Sequence, residues 1–595
     1  MDDLVNRADH GNAAPQLPTT HHTPLTRHSS SVLILGAGIH GAAIARELLL
    51  NRVPVRLIDS ADIAFGATAK SSRLIHGGLR YLEYGDVKLV RESLHERQRL
   101  LELAPHFVRP LRLFIPVRSS WSGLVRSAVG FLGGHRAAWG HWFNTGPEPR
   151  GFWPTRIGLQ LYDWLGGNTG LPGSEAVEIG APGTPRVDPA RYVGLLAYSD
   201  AQMLFPERFV LALLADAVEI ARANDVPFTV HTWSDSPVSR TLPSVRDTLP
   251  SVIVNATGAW GDFTCRQLGV EREPFFGGTK GSHLVTYHVG LKEALAGHAV
   301  YAEADDGRLV FVLPFGDAVL IGTTDETFNG SPESATVTTV EQEYLLRMVN
   351  EVFALSLTTA DIALQYSGVR PLPKPAGGPN AAISRDHDIV WEDCHGIPLV
   401  TLIGGKLTTW RAFSETVCDE VLARVPKPRT ENTLARPIPG NDPLPAGLLP
   451  GPELWRHWAA EFGTRPEEVA ALWPLFGTRL CTVLEETRGA SHESLPDAPW
   501  SAAVVRWIIR HEWVTRLEDL VERRLMAVFA PTLTDRFLRA LADCLVAEAK
   551  LRAEEVPAAI ERCCERLRGF YGRDELCPGH FRVTGTLHCA AARAA

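Results

Sequence analysis

No apolar run in the 595-residue chain is long enough to span a bilayer, so a transmembrane anchor is not expected. Basic residues are the minority charge: 59 Lys and Arg stand against 68 Asp and Glu, for a formal net charge of -9. A general nucleic-acid binder would show a basic stripe, so that class is set aside and no nucleic-acid partner is expected. Cysteine is sparse, with nine scattered residues, an odd number that describes no disulfide framework. Reduced thiols in a cytoplasmic compartment fit better. The N-terminus is acidic and polar, so no secretory signal is read there. Cys577, His580, His588 and Cys589 resemble a metal site only superficially. Their spacing matches no common zinc pattern, and no metal is expected. Internal repeats are also lacking.

What is present is ordinary soluble-protein composition, 45% hydrophobic and 21% charged, in a chain too long for one core. Two or three domains are expected. Residues 1–30, rich in Asn, Pro, Thr, Ser and His, read as a disordered lead-in, and structure is expected from Ser31. Ser31–Leu35 (SVLIL) reads as a buried strand, GAGIHG as a turn, AAIARELLL as a helix and Val53–Asp59 as a second strand. Such a unit implies a parallel sheet at this point. Residues 86–104 read as an amphipathic helix, and 308–315 with 318–324 as an antiparallel hairpin about Gly-Asp. The proline-rich stretch 427–452 reads as a linker and 453–571 as helical, with Ile509, Trp513, Leu517 and Leu520 marking one helix face.

Chemistry enters with Gly36-x-Gly38-x-x-Gly41. Gly36 permits a tight turn, Gly38 lets the backbone approach a pyrophosphate at the helix N-terminus, and Gly41 lets helix and strand pack closely. Asp59 follows at a spacing close to that of an acid binding ribose hydroxyls. Dinucleotide binding is the reading; the motif alone does not separate FAD from NAD. Residues 66–81 (GATAKSSRLIHGGLRY) form a small, polar, glycine-rich loop carrying His76, Arg80 and Tyr81. Singly, each has a bland explanation: a surface ion pair for Arg80, a satisfied buried histidine for His76. Together on a Gly-Gly loop they point to a ligand.

Further segments make the pattern specific: SSRLIHGGLRYLE at 71, NATGAW at 255, KGSHLV at 280, GTTDETFNG at 322, YSGVRPL at 366, IGGKLTTWR at 403 and HEWVTRLEDLVERR at 511. With GAGIHG, they resemble the FAD-dependent glycerol-3-phosphate dehydrogenase family, in the family's order, over roughly residues 31–570. The resemblance implies an α/β fold: a Rossmann-like FAD-binding domain (31–110, 186–262 and 366–426) interleaved with an antiparallel-sheet substrate domain (111–185 and 263–365). A linker (427–452), a C-terminal helical domain (453–571) and a tail (572–595) complete it. Non-covalent FAD is the implied cofactor. Gly36, Gly38, Ile39, Gly41, Asp59, Thr68, Ser71, Ser72, His76, Gly77, Gly78, Thr257 and Gly258 are its implied contacts, with Gly404, Gly405, Leu407 and Thr408 against the flavin ring.

The implied substrate, glycerol 3-phosphate, is a dianion with a secondary alcohol, and guanidinium groups suit phosphate. Arg80 and Arg370 are the leading clamps, with Lys406 and Tyr81 close by, and Thr323 and Thr324 reaching the substrate from a strand end. A neutral imidazole suits proton removal; the resemblance puts His283 first and His76 second as base. Lys406 and Arg370 can instead stabilise an alkoxide, and the residues leave that choice open.

There are departures from the family. Leu204–Phe209 (LFPERF) replaces the usual segment and reaches towards the substrate or quinone side, Asp59 stands where Glu is more frequent, residues 118–153 are longer than usual, and no calcium-binding loop follows the helices. Electrons are expected to pass to a membrane quinone; an oxidase using oxygen and a non-catalytic flavin-binding sensor or scaffold are the alternatives. Residues 118–153, with Trp121, Leu124, Val125, Phe131, Leu132, Trp139, Trp142 and Phe143 beside Arg126 and Arg136, read either as a lipid-surface contact or as an irregular loop packed against the substrate domain. The expected location is cytoplasmic, peripheral on the inner face of the cell membrane, with room for a homodimer.

Overall fold

The computed structural model describes residues 31–573 except 83–84, 121–150, 168–169, 235–248, 375–386 and 532. Both expected tails, the Cys577–Cys589 group and most of the 118–153 segment therefore lie outside the described residues. Among the described residues no helix is long and apolar enough to cross a membrane.

The run Val32–Leu35 is buried at every position and forms the centre of a six-stranded sheet. It pairs in parallel with Val55–Ile58 on one side and Val252–Asn255 on the other. Near-continuous apolar strands of this kind need cover on both faces. On one face, Ile39–Leu50 packs against the helices Pro206–Asn224 and Trp410–Arg424, and its Ala42, Ala43 and Ala45 allow the close approach. The other face is covered by the short helix Gly261–Gln267 and its neighbours, through Cys265, Leu268 and Cys394. Phe228–His231 closes one edge, and the hairpin Asp388–Cys394 with Ile397–Ile403 closes the other.

A ten-stranded mixed sheet forms the second layer system. Its spatial order is Glu326–Thr327, Thr279–Thr286, Ala318–Gly322, Leu309–Phe315, Ala299–Glu303, Val108–Val117, Gly194–Met203 and Leu74–Ile75, with Leu364–Arg370 pairing onto Thr279–Thr286. The expected hairpin is there, Leu309–Phe315 against Ala318–Gly322. The chain is apportioned between the sheets differently from the ranges read from sequence. Gly194–Met203 and Leu364–Arg370, assigned above to the FAD domain, belong to the larger sheet. Gly194–Met203 is held there by a ten-residue antiparallel register with Val108–Val117. Helices Val289–Leu295 and Thr339–Phe353 cover one face of this sheet, and the opposite face carries His283, Tyr366 and Phe311 of the candidate site.

After residue 451 the chain is helical, from Pro452–Phe462 to Val556–Tyr571. Ile509, Trp513, Leu517 and Leu520 do not share one helix face as expected. The helix Ala502–His511 stops, Trp513 takes a left-handed φ of 51°, and a new helix starts at Leu517. The cause is Asp519, whose carboxylate accepts the Thr515 and Arg516 amides at 2.9 and 2.8 Å and so caps a fresh start.

These helices are tied to the dinucleotide unit by buried charge. Asp62, in the loop after the second strand, is 0% exposed and accepts from Arg523 and Arg524 at once, with Arg524 Nη2 at 2.8 Å. Burial alone would raise the Asp62 carboxyl, but Arg524 and Arg523 hold it below its usual range. Arg523 also reaches Glu522 at 2.8 Å, and Glu522 accepts from Arg566 and from Tyr571 Oη. Arg208 forms a second tie, forked onto Glu512 at 2.6 and 2.9 Å.

Replacing Asp62 with Ala leaves two buried guanidinium groups short of their counter-charge. The expected loss is about 3–5 kcal/mol of stability, read by denaturant unfolding of the holoprotein. A loss below about 1 kcal/mol would show that the cluster is not what joins the units.

Candidate active site

The first turn of the molecule is a cradle defined by missing side chains. Gly36 has φ 99°, and a Cβ there would sit 2.6 Å from Ala256 O. A Cβ on Gly41 would strike the Gly36 carbonyl. The helix that follows begins at Gly38 with no side-chain cap, so first-turn amides remain for an anion. Thr68 Oγ1 takes the Ile39 amide at 3.2 Å. Asp59 Oδ2 accepts the Ala37 amide at 2.6 Å and Oδ1 accepts Ala61 at 2.8 Å, which sets the carboxylate at the strand end. Burial pushes that carboxyl up to about 6.

A second cradle faces the first. Gly404 and Gly405 have φ of 76° and 91°, and a Cβ on Gly405 would strike the His40 ring. The Gly404 amide donates to Pro371 O at 2.7 Å, tying this turn to the strand that ends in Arg370. Leu407 packs against the core of the dinucleotide unit. Thr408 Oγ1 accepts from the His76 amide and donates to the His76 carbonyl, both at 3.2 Å. On the third approach, Thr257 Oγ1 donates to Asn255 Oδ1 at 2.7 Å, and Gly258, φ 61°, has nothing within 4 Å of where a Cβ would stand. The bare backbone at three turns fits an extended dinucleotide, and side chains at those positions would exclude it.

The glycine-rich loop joins this cradle to the larger sheet. Ser72 Oγ meets His283 Nε2 at 2.8 Å, and Ser71 O accepts from Tyr366 Oη at 2.9 Å. The Gly77 amide donates to Tyr162 Oη at 2.8 Å and to Asp200 Oδ1 at 3.2 Å. Gly78 turns the chain with φ 76° against the Tyr81 ring. Arg80 follows on the short helix Leu79–Leu82, half-buried, and Lys406 Nζ lies 3.9 Å from the Tyr81 ring centroid. Thus Tyr81 and Lys406, 325 positions apart in the numbering, are brought together.

On the sheet, His283 is buried and stacked on Tyr366, with centroids 4.8 Å apart and planes at 20°. Its Nδ1 has no hydrogen-bond partner. Burial, then the charges of Arg370 and Arg73, pull its pKa down to about 3. Arg370 Nη1 donates to Asp325 Oδ1 at 2.8 Å; Nη2 donates to Thr323 Oγ1 at 3.2 Å and Thr324 O at 3.0 Å. A Cβ on Gly281 would strike this guanidinium. Thr324 is turned away: it is 1% exposed and its hydroxyl donates to Glu341 Oε1 at 2.8 Å. His76, with its ring 6.5 Å from Phe311, faces the same cleft.

Several supporting residues had escaped the sequence reading. Arg73 is fully buried and forked onto Glu207 at 3.0 and 2.7 Å, with Leu204 O at 2.6 Å. The departing segment Leu204–Phe209 therefore underpins the loop, and its Glu207 and Arg208 are 2% and 1% exposed. Lys70 donates to Tyr571 Oη at 3.0 Å, and burial lowers its ammonium to about 7. The clue was the pair of cations inside a glycine-rich loop, but their acids lie at least 134 positions away.

Residues 31–410 match the family described as FAD dependent oxidoreductase, and residues 432–556 match the C-terminal domain of alpha-glycerophosphate oxidase. The glycerol-3-phosphate dehydrogenase of Synechocystis is 31% identical over 535 residues, covering 83% of this chain and 88% of that protein. The chain belongs to the FAD-dependent glycerol-3-phosphate dehydrogenase family. The aerobic glycerol-3-phosphate dehydrogenase of Escherichia coli is 30% identical, over 83% of this chain and 93% of its own. The D-erythritol 1-phosphate dehydrogenase of Brucella abortus is also 30% identical, with the same coverage. In structure, the glycerol-3-phosphate dehydrogenase of Bacillus halodurans complexed with FAD aligns with TM-score 0.65 at 20% identity, over 91% of this chain and 95% of that one. FAD is the cofactor.

Two glycine substitutions separate the cofactor cradle from the site beside it. Gly41→Ala is expected to lose most of its flavin, whereas Gly281→Ala keeps it, measured as flavin released by acid precipitation per purified polypeptide. Equal flavin in both variants would contradict this division.

Proposed function

We propose that this protein oxidises sn-glycerol 3-phosphate to dihydroxyacetone phosphate and passes the electrons to a membrane quinone. The observation that carries the reading is a buried His283, held by Ser72 of the glycine-rich loop, with the Arg370 strand tied to the Gly404 turn. FAD, when bound, supplies the two-electron acceptor, with N5 taking the hydride from the carbinol carbon.

The chain's residues do the rest. Arg370, Arg80 and Lys406 supply fixed positive charge for the phosphate dianion and for the alkoxide that develops as the O–H bond breaks. His283 accepts the hydroxyl proton at Nε2, the edge that Ser72 holds in place. Burial, and then the charges of Arg370 and Arg73, keep its ring neutral and so able to accept a proton. His76, fixed through its backbone to Thr408, lines the same cleft and is the second candidate. Thr323 orients Arg370 rather than standing alone against substrate.

The acceptor is the finer part of the proposal. A quinone reductase without a spanning helix needs a surface that enters the lipid interface. The helix Phe152–Gly166 supports this: Trp153, Ile157 and Trp164 are 40%, 60% and 77% exposed, at spacings that put them on one face. It continues directly from the aromatic, arginine-bearing 118–153 segment. Tryptophan beside arginine suits the headgroup layer, and a peripheral position on the inner face of the cell membrane follows. Oxidase chemistry shares every step up to flavin reduction and differs only in consuming oxygen.

Anaerobic addition of glycerol 3-phosphate to the yellow holoprotein should bleach its flavin, while glycerol and lactate should not. Arg370→Ala and Lys406→Ala should each retain FAD and lose about 2–5 kcal/mol in kcat/KM. His283→Ala should lower kcat more than it raises KM. Because the His283 ring is neutral down to about pH 3, the kcat/KM profile should show no acid limb near the ordinary histidine value. Such a limb, abolished in His283→Ala, would contradict the assigned environment.

For the membrane, Trp153→Ser with Trp164→Ser should move the protein from the pellet to the supernatant of anionic liposomes, with flavin retained. Identical sedimentation of variant and wild type would remove this helix from the interface.

A further inference from the structure

One row of cross-strand pairs runs through the site on the larger sheet. Tyr366 stands opposite His283, His283 opposite Gly322, Gly322 opposite Phe311, and Phe311 opposite Tyr301. Directly opposed residues in antiparallel strands share a face, so all five look towards the cleft. The row is a pair of aromatic stacks with a gap between them. Tyr366 stacks on His283, and Phe311 stacks on Tyr301 with centroids 4.1 Å apart and planes at 6°. Gly322 is the gap, and a Cβ there would strike the His283 ring.

The dimensions of this gap follow from the sheet. Strands lie about 4.8 Å apart, so His283 and Phe311, with one strand between them, are separated by about 10 Å between backbones. The His283 ring leans over the Gly322 backbone, so the slot that remains lies between the Cδ2–Nε2 edge of that ring and the Phe311 face, roughly one carbon chain wide. The His76 ring, 6.5 Å from Phe311, stands over the same end. Phe311 is half-buried, and the buried Tyr301, stacked on its ring, blocks its retreat on that side.

We infer that Phe311, backed by Tyr301, is the wall that limits the length of the polyol, so that three carbons fit between it and His283 and a fourth does not. The inference rests on the proposed oxidation of a phosphorylated polyol with His283 as base, and it adds the specificity element. The alcohol to be oxidised must lie at His283 Nε2, whose neighbour Cδ2 overhangs Gly322. The carbon chain then runs from that ring edge towards Phe311, and an added hydroxymethyl group meets the Phe311 face. Removing the ring opens space onto Tyr301 without touching any charged group of the site.

The test uses purified holoenzyme and anaerobic flavin bleaching, with glycerol 3-phosphate and D-erythritol 1-phosphate as the two substrates. Steric exclusion of one carbon unit from a pocket is worth about 10–200-fold in kcat/KM. Phe311→Ala is therefore expected to raise the four-carbon to three-carbon kcat/KM ratio by at least about tenfold, and Phe311→Leu by less in the same direction. Tyr301→Ala, which frees Phe311 to swing back, should shift the ratio the same way. A ratio within about threefold of wild type in both Phe311 variants, with flavin bound, overturns the inference. If Phe311→Ala loses its flavin, Phe311→Leu carries the comparison. Failure of the substrate reading looks different: wild type would then stay yellow with glycerol 3-phosphate. A wild type that already prefers the four-carbon substrate overturns the wall directly.

Discussion

The carboxylate of Asp62 holds two adjacent guanidinium groups, those of Arg523 and Arg524, with no access to water. This contact, with the Arg208–Glu512 fork as a second tie, joins the C-terminal helices to the dinucleotide unit. A carboxylate in such a place must stay ionised for the arginines to be tolerated, and the arginines are what keep it so. Asp519, beside it, is driven the other way by burial and by the Asp62 charge. It serves as an acceptor for the Trp233 indole and for two backbone amides. The local backbone yields to these demands: the Leu520–Arg524 turn is widened into a π-helix, which places Arg523 and Arg524 side by side.

From there the charges lead into the site. Glu522 accepts from Tyr571, Tyr571 accepts from Lys70, and Lys70 is two residues from Ser72, the partner of His283. Arg73, next in the loop, is pinned by Glu207 and lies over the rings of Phe529 and Phe315, 4.7 and 5.2 Å away. The loop that presents the base is thus fixed by residues from the helix at 206, the helical turn at 522 and the end of the last helix. In a site that works by electrostatic preorganisation, rigid support of this kind keeps a neutral imidazole among cations without reorganisation.

How much of this was legible beforehand depends on whether the signal was local. The strand–GAGIHG–helix–strand unit and the Gly-Asp hairpin were readable because their hydrophobic period and turn chemistry lie within a few residues. His283, Arg370, Lys406 and the glycines at 404 and 405 were readable through resemblance, since short segments carry them. Non-local pairing was not readable. Nothing in LAYSDAQM tells that it pairs with Val108–Val117 instead of joining the parallel sheet. The break at Trp513 was hidden because Ile509, Leu517 and Leu520 keep a helical spacing across it, while the capping carboxylate of Asp519 that causes it looks like any surface acid. Thr324 sits beside Thr323 in sequence, yet in the turn after Ala318–Gly322 its hydroxyl is tied to Glu341 and away from the cleft.

The pairing of Ser119 with Gly151, reinforced by the Phe152 amide donating to Ser119 O at 2.8 Å, has a different kind of consequence. It brings together the two ends of a thirty-residue excursion, so the strand before it and the helix after it are positioned independently of what lies between. Closing a loop costs little more as the loop lengthens. A change of length between these two positions therefore adds little to the closure cost, and the strand and the helix need not move to meet it.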